Sequence, residues 1–293
     1  MDYTSDGLIA LIKNWATIPD EQPAYSNANL RLMLTKELHT KIVPIISSLN
    51  QEYFIRYTDY TITADREEYR IPSLAVGSMV REIKLVNGDE IIDLQRLDIS
   101  SYEGYQRGFY FSGNNIVLIN PENFVNYSLR VWYERRPNEI IDPSNARAIT
   151  AINGTTVTVA NVPTTPTAWT ESLEYDLVKA TPHFAVLADE QTVTISGADI
   201  TFSSLPTGLA VGDYVCIHGE SPVANIPYEL HDLLCQAVIV RIKNAIGGPA
   251  EKQTALDTFN QMAMDMEHLI ADRNEGEPEK VVNTTSFLDS YWI

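Results

Sequence analysis

Ile226-Pro-Tyr-Glu-Leu-His-Asp-Leu-Leu-Cys-Gln-Ala-Val-Ile-Val-Arg-Ile-Lys-Asn-Ala-Ile-Gly-Gly-Pro-Ala250 decides how this chain is read. Pro227 suits a first helical position, where its missing N–H costs nothing. Gly247 and Gly248 stop the helix, and Pro249 starts another. Leu230, Leu233, Leu234, Ala237, Val238, Ile239, Ile242 and Ile246 cover more than one face, so this helix is expected inside a core. In the helix that follows, Leu256, Phe259, Ala263, Met266 and Ile270 step by three or four residues and form one apolar stripe.

Such a helix needs a partner layer, and the other chain end supplies one. Leu8, Leu11, Ile12 and Trp15 mark a short amphipathic helix capped at Thr4 or Ser5. Leu30, Leu34, Leu38, Ile42 and Ile46 recur every four residues in a longer helix capped at Ser26 or Asn27. Pro44 lies inside that pattern and predicts a kink, or an end at Val43. Residues 1–50 and 223–272 are therefore read as one helical layer built from both ends.

Between the ends the period changes from helical to alternating. Residues 51–145 read as an antiparallel β domain of five or six strands, with a hairpin turn at Asn87-Gly88 and another through residues 112–115. A short helical turn is expected over 98–105. Residues 146–222 are richer in Thr, Val, Ala and Pro and carry only Arg147 and Lys179 as bases. They read as an inserted small β barrel or sandwich, with Asp142-Pro143 and Ser221-Pro222 as hinges. The fold class is α+β: a helical layer from both chain ends, an inserted antiparallel sheet and a second small β unit.

The 293 residues are 44% hydrophobic and 20% charged, a globular composition. The formal charge of −18 argues against a surface that grips nucleic acid, which needs clustered Lys and Arg. No run approaches the roughly 20 apolar residues of a membrane span. Asp2 and Asp6 stand where a secretory signal is basic, so none is expected. Cys216 and Cys235 are too few for a disulfide framework and read as small core residues.

His39, His183, His218, His231 and His268 are scattered without ligand spacing, so no metal site is expected. Solvated or helix-end roles suit them better. No nucleophile elbow or phosphate loop occurs, and no carboxylate pair stands out by spacing. No catalytic residue, cofactor or enzymatic activity is expected. The adjacent pair Arg135 and Arg136 at a strand end is the exception among the arginines, as a clamp for a neighbouring subunit's carboxylates.

Residues 273–293 read as an extended, acidic tail. Phe287, Leu288, Tyr291, Trp292 and Ile293 cluster at its far end and suit docking on a partner.

The order of these features, with Tyr69-Arg-Ile-Pro72, Ile116-Val-Leu-Ile-Asn-Pro121, Leu129-Arg-Val-Trp-Tyr-Glu-Arg-Arg-Pro137 and Ile226-Pro-Tyr-Glu-Leu-His-Asp-Leu-Leu, resembles the head-to-tail connector or adaptor proteins of tailed bacteriophages, the tail tubular A type included. The resemblance covers most of the chain, in order and pattern rather than in a diagnostic motif; residues 146–221 fit it least. It implies a structural virion protein in the particle neck, present in host cytoplasm during assembly. It implies a homo-oligomeric ring, usually of about twelve copies, below the portal protein and above a tail or nozzle protein. Double-stranded DNA would pass through the lumen without specific binding, as an acidic wall allows. The competing expectation is a phage-associated carbohydrate-binding or cell-wall-degrading protein, with Trp132, Trp169, Tyr175 and Tyr214 stacking on sugars.

Overall fold

A computed structural model describes residues 2–18, 22–98, 107–160, 169–180 and 184–270. The class is α+β. The helical layer comprises α1 (Ser5–Ala16), α2 (Asn27–Glu37), α3 (Val43–Leu49), α4 (His231–Ile246) and α5 (Pro249–Ile270). Thr4 caps α1 by accepting from the Gly7 N–H, and Ser26 caps α2 by accepting from the Asn29 N–H. α4 is central: nearly every residue from His231 to Ile242 is buried, against α1 and α2 on one side and α5 on the other.

Leu30, Leu34, Leu38, Ile42 and Ile46 are all fully buried. A strict step of four drifts by about 40° per step around an α-helix, so five such residues would leave one face. A π-helical turn over Leu38–Ile42 corrects this, with the Val43 N–H bonding back to the Leu38 carbonyl. The wider turn resets the stripe and also accommodates Pro44, which stands in the first turn of α3 and needs no donor there. The sequence pattern predicts a kink or an end at Val43; the helix does not end there but continues into α3 through a π turn, an irregularity at which helices bend.

In α5 the stripe differs from the expected one. Ala255 and Phe259 are buried and Met262, Ala263 and Met266 pack partly, while Leu256 is exposed. α4 already covers the layer's interior, so α5 contributes only a narrow edge.

The residues from 51 to 145 form two sheets rather than one. β1 (Ile55–Thr61), β7 (Ser128–Arg135), β3 (Ala75–Asn87) and β4 (Glu90–Asp93) make a four-stranded sheet in the order β1-β7-β3-β4. β2 (Glu68–Arg70), β6 (Asn115–Ile119) and β5 (Gly108–Ser112) make a second in the order β2-β6-β5. They share one core: Leu129, Val131 and Tyr133 alternate inward on β7 and meet Tyr69, Ile116 and Leu118. Four consecutive residues of β6 are buried, so the second sheet is covered on both faces and cannot extend the first edge to edge. The Asn87↔Glu90 pairing puts Gly88 and Asp89 at the hairpin tip, one residue on from the expected turn. The short helical turn expected over 98–105 lies largely outside the described residues.

The late β region is one seven-stranded antiparallel sheet ordered β12-β11-β15-β9-β10-β14-β13. Its strands are β9 (Arg147–Asn153), β10 (Thr156–Val159), β11 (Tyr175–Val178), β12 (Val186–Gln191), β13 (Val193–Ser196), β14 (Asp199–Phe202) and β15 (Tyr214–Ile217). The edge strands β12 and β13 are separated only by Thr192, so the sheet curls until its ends meet. Ile149, Val157, Tyr175, Leu177, Ile200, Phe202 and Val215 fill the interior.

The expected hinges are anchored. β8 (Glu139–Ile140) pairs in parallel with β16 (Glu220–Ser221). The Ser5 N–H donates to the Pro222 carbonyl at 2.8 Å, and its hydroxyl donates to the Ile141 carbonyl at 2.7 Å. Arg31 pairs with Asp142 at 2.7 Å. Both crossings into the late β region are thereby tied to α1 and α2.

Candidate functional site

The densest polar cluster joins the two β regions, and it is built around Asp176. Asp176 stands in the middle of β11, where all four residues are buried. Opposite it, β12 bulges: Tyr175 faces Gln191 while Leu177 faces Ala188, leaving Asp189 and Glu190 across from one residue. Glu190 takes a left-handed φ of 52°, and its N–H meets Asp176 Oδ1 at 3.2 Å. His218, just after β15, places Nδ1 2.8 Å from the same oxygen. Asp176 Oδ2 accepts from Arg135 Nη2 at 3.1 Å, Asn138 Nδ2 at 2.8 Å and the Gly219 N–H at 3.0 Å. A buried carboxylate with this many donors is stable in its charged form.

The electrostatics follow from that geometry. Burial alone would raise the Asp176 pKa, but the His218 hydrogen bond and the Arg135 charge outweigh it and hold the group below its ordinary value. Burial likewise opposes the charged form of His218. The hydrogen bond to Asp176, with the charges of Asp176 and Glu190, overcomes it, and the imidazole pKa is raised. Glu190 is raised, chiefly by burial.

Ser73 Oγ lies 3.4 Å from His218 Nε2, so Ser73, His218 and Asp176 stand in the order of a hydrolytic triad. The chemistry argues against that use. Glu190 Oε1 also faces Nε2, at 3.6 Å, and competes with Ser73 for it. Asp176 is further engaged by Arg135. The cluster works as a lock between the β regions.

Arg135 is thus drawn into its own chain. It is 4% exposed; Nε reaches Asp189 at 2.9 Å and Nη1 donates to the Arg136 carbonyl at 3.2 Å. The carboxylates it clamps were expected on a neighbour and belong to β11 and β12, because the late β region folds back against the end of β7. Arg136 is exposed beside it. Phe287, Leu288, Tyr291, Trp292 and Ile293 lie outside the described residues.

The aromatic residues weighed for sugar stacking form no common exposed face: Trp169 and Tyr175 pack on each other with ring centres 5.0 Å apart, and Tyr214 is half-buried against the core of the helical layer. Tyr175 is fully buried, Trp169 lies over Arg147 at 5.0 Å, and Trp132 sits beside Tyr57 and Arg130 on the outer face of β7. His231 takes the helix-end place of the two expected, as the first residue of α4, and is fully buried there. It packs against Tyr3 and Phe184, its Nδ1 lies 3.0 Å from the Tyr228 carbonyl, and burial lowers its pKa. Cys216 and Cys235 are buried, free thiols, with their pKa values pushed up by burial. Among the described residues no cluster of His, Cys, Asp or Glu is placed to hold a metal ion, and no helix is long and apolar enough to cross a membrane.

Sequence reasoning did not find Asp176, Asn138, Asp189 or His218. The one available signal was Asp176 within the apolar run Tyr175-Asp-Leu-Val178, where a lone carboxylate requires partners. No protein-family model matches this chain, and comparison with curated proteins finds no significant relative.

Proposed function

We propose that the chain is a structural adaptor of a tailed-phage neck, assembling side by side into a ring between portal and tail around the DNA channel. The observation that carries this reading is the chain order folded into layers. Both ends meet in one helical layer, tied by the Thr4–Val223 bridge and the packing of α1 on α4, and two β units are inserted between them. The helical layer and the first β unit are the parts the resemblance covers; the second β unit, residues 146–221, fits it least. The charge of −18 per chain is compatible with a lumen that repels phosphate. Arg136, exposed next to the Arg135 lock, remains a candidate contact to the next copy, and the aromatic end of the tail a candidate contact to portal or tail protein. The function on this reading is geometric and non-enzymatic.

Negative-stain microscopy and native mass measurement on the purified protein test it. Closed rings, with monomer as the other species, are expected. A population of closed dimers, or monomer at every concentration and in the presence of portal, overturns the reading.

A further inference from the structure

An apolar groove of about 560 Å³ runs along the outside of the helical layer. Trp15 at the end of α1, Ile239 and Lys243 on α4, and Ala255, Thr258 and Met262 on α5 line it. It exists because α5 covers α4 with only a narrow edge. Ile239 and Ala255 form its floor and Trp15, 46% exposed, its wall. Grooves of this size and polarity are the ordinary shape of a ligand or peptide site.

We propose that residues 287–293 of the same chain seat in this groove. Leu288, Tyr291 and Trp292 follow Phe287 by one, four and five residues. Four large apolar side chains within six residues match the apolar lining of the groove. The connection is long enough. Residues 271–286 span up to about 50 Å when extended. The groove residues on α5 lie about 12 to 30 Å back along the helix from Ile270. Lys243 at the rim is paired with Glu251 at 3.3 Å, so the match between segment and groove is apolar rather than charged. A tethered segment also meets its groove at an effective concentration near millimolar, far above that of a second copy in dilute solution. The inference goes beyond the ring reading and does not depend on it. If the ring forms, groove occupancy and partner docking become alternative states of one segment.

The test is oxidation of the full-length chain carrying Thr258→Cys and Ser290→Cys, at low protein concentration. Thr258 is exposed in the groove, while the native thiols are buried and disfavoured as thiolates. The control pairs Ser290→Cys with Thr150→Cys, on an exposed strand of the other β unit. An intramolecular disulfide about tenfold more abundant than in the control is expected. It should fall to the control level when Phe287→Ser and Trp292→Ser are added. Disulfide-linked dimers would assign the groove to a second copy and overturn the proposal; equal yields in both pairs, or none in the groove pair, would overturn it too.

Discussion

Among the described residues two arginines are buried, and their surroundings are opposite. Arg135, at the end of β7, gives all three guanidinium nitrogens to Asp176, Asp189 and a backbone carbonyl. Arg147, at the start of β9, is 2% exposed inside the curled sheet; its Nε and Nη2 have no hydrogen-bond partner, and only the face of Trp169 lies over it. One charge joins two β units. The other sits in a core that its own unit fills with Ile149, Tyr175 and Val215. The difference shows that partners, not burial, separate the two: Arg135 is compensated at the seam between units, as Asp213 is inside one by Lys179 and the Ala180 and Ala210 N–H groups, and Arg147 is not.

The largest effect should come from breaking the compensated site. Arg135→Met leaves Asp176 and Asp189 facing a methionine, and removing one partner of a buried pair costs about 3–5 kcal/mol. Urea unfolding should show a lower midpoint with an unchanged slope. Removing both charges, as Arg135→Met with Asp176→Leu, should recover part of the loss. A neutral Arg135→Met would erase the contrast between the two sites.

His218 gives the lock a pH dependence. Its folded pKa is raised above 6.5, so its stabilising contribution is complete below about 6.5 and is lost as pH rises through the folded value. The groups facing it are Asp176, Glu190, Arg135 and Ser73. His218→Gln should therefore destabilise by about 1.5–3 kcal/mol at pH 6, and by less at pH 9. Asp176 works with the opposite sign: its contribution holds above the ordinary 3.8 and disappears as pH falls through its depressed value. Equal losses at pH 6 and pH 9 would show that the imidazole acts in the lock without its charge.

What was legible in the sequence follows from how local each signal is. The buried stripe of α4, the four-residue repeat through α2 and α3, and the hairpins around Gly88 and Gly154 depend on neighbours within one or two turns, so their periodicity could be read directly. The division of residues 51–145 into two sheets was not legible, because it depends on which face of β6 is covered. The Asp176 lock was not legible either. Its members span positions 73 to 218, and only the closing of the curled sheet against β7 brings them together. Arg135 was noticed for the right chemistry, since a strand-end arginine seeks carboxylates. Sequence alone could not say that they come from its own chain.

The smallest expected effect is also the one that most sharpens the contrast. A buried guanidinium with two unpaired donors carries a desolvation penalty that the Trp169 face offsets only in part. Burial correspondingly lowers the Arg147 pKa. Methionine has a similar length and no charge, so Arg147→Met should leave the sheet intact and raise stability by about 1 kcal/mol. A rise in the urea midpoint would establish that the two arginines differ in sign, one stabilising its site and the other tolerated by it. A fall would mean that Arg147 is compensated in solution, and added phosphate or sulfate would then stabilise the native protein more than the variant.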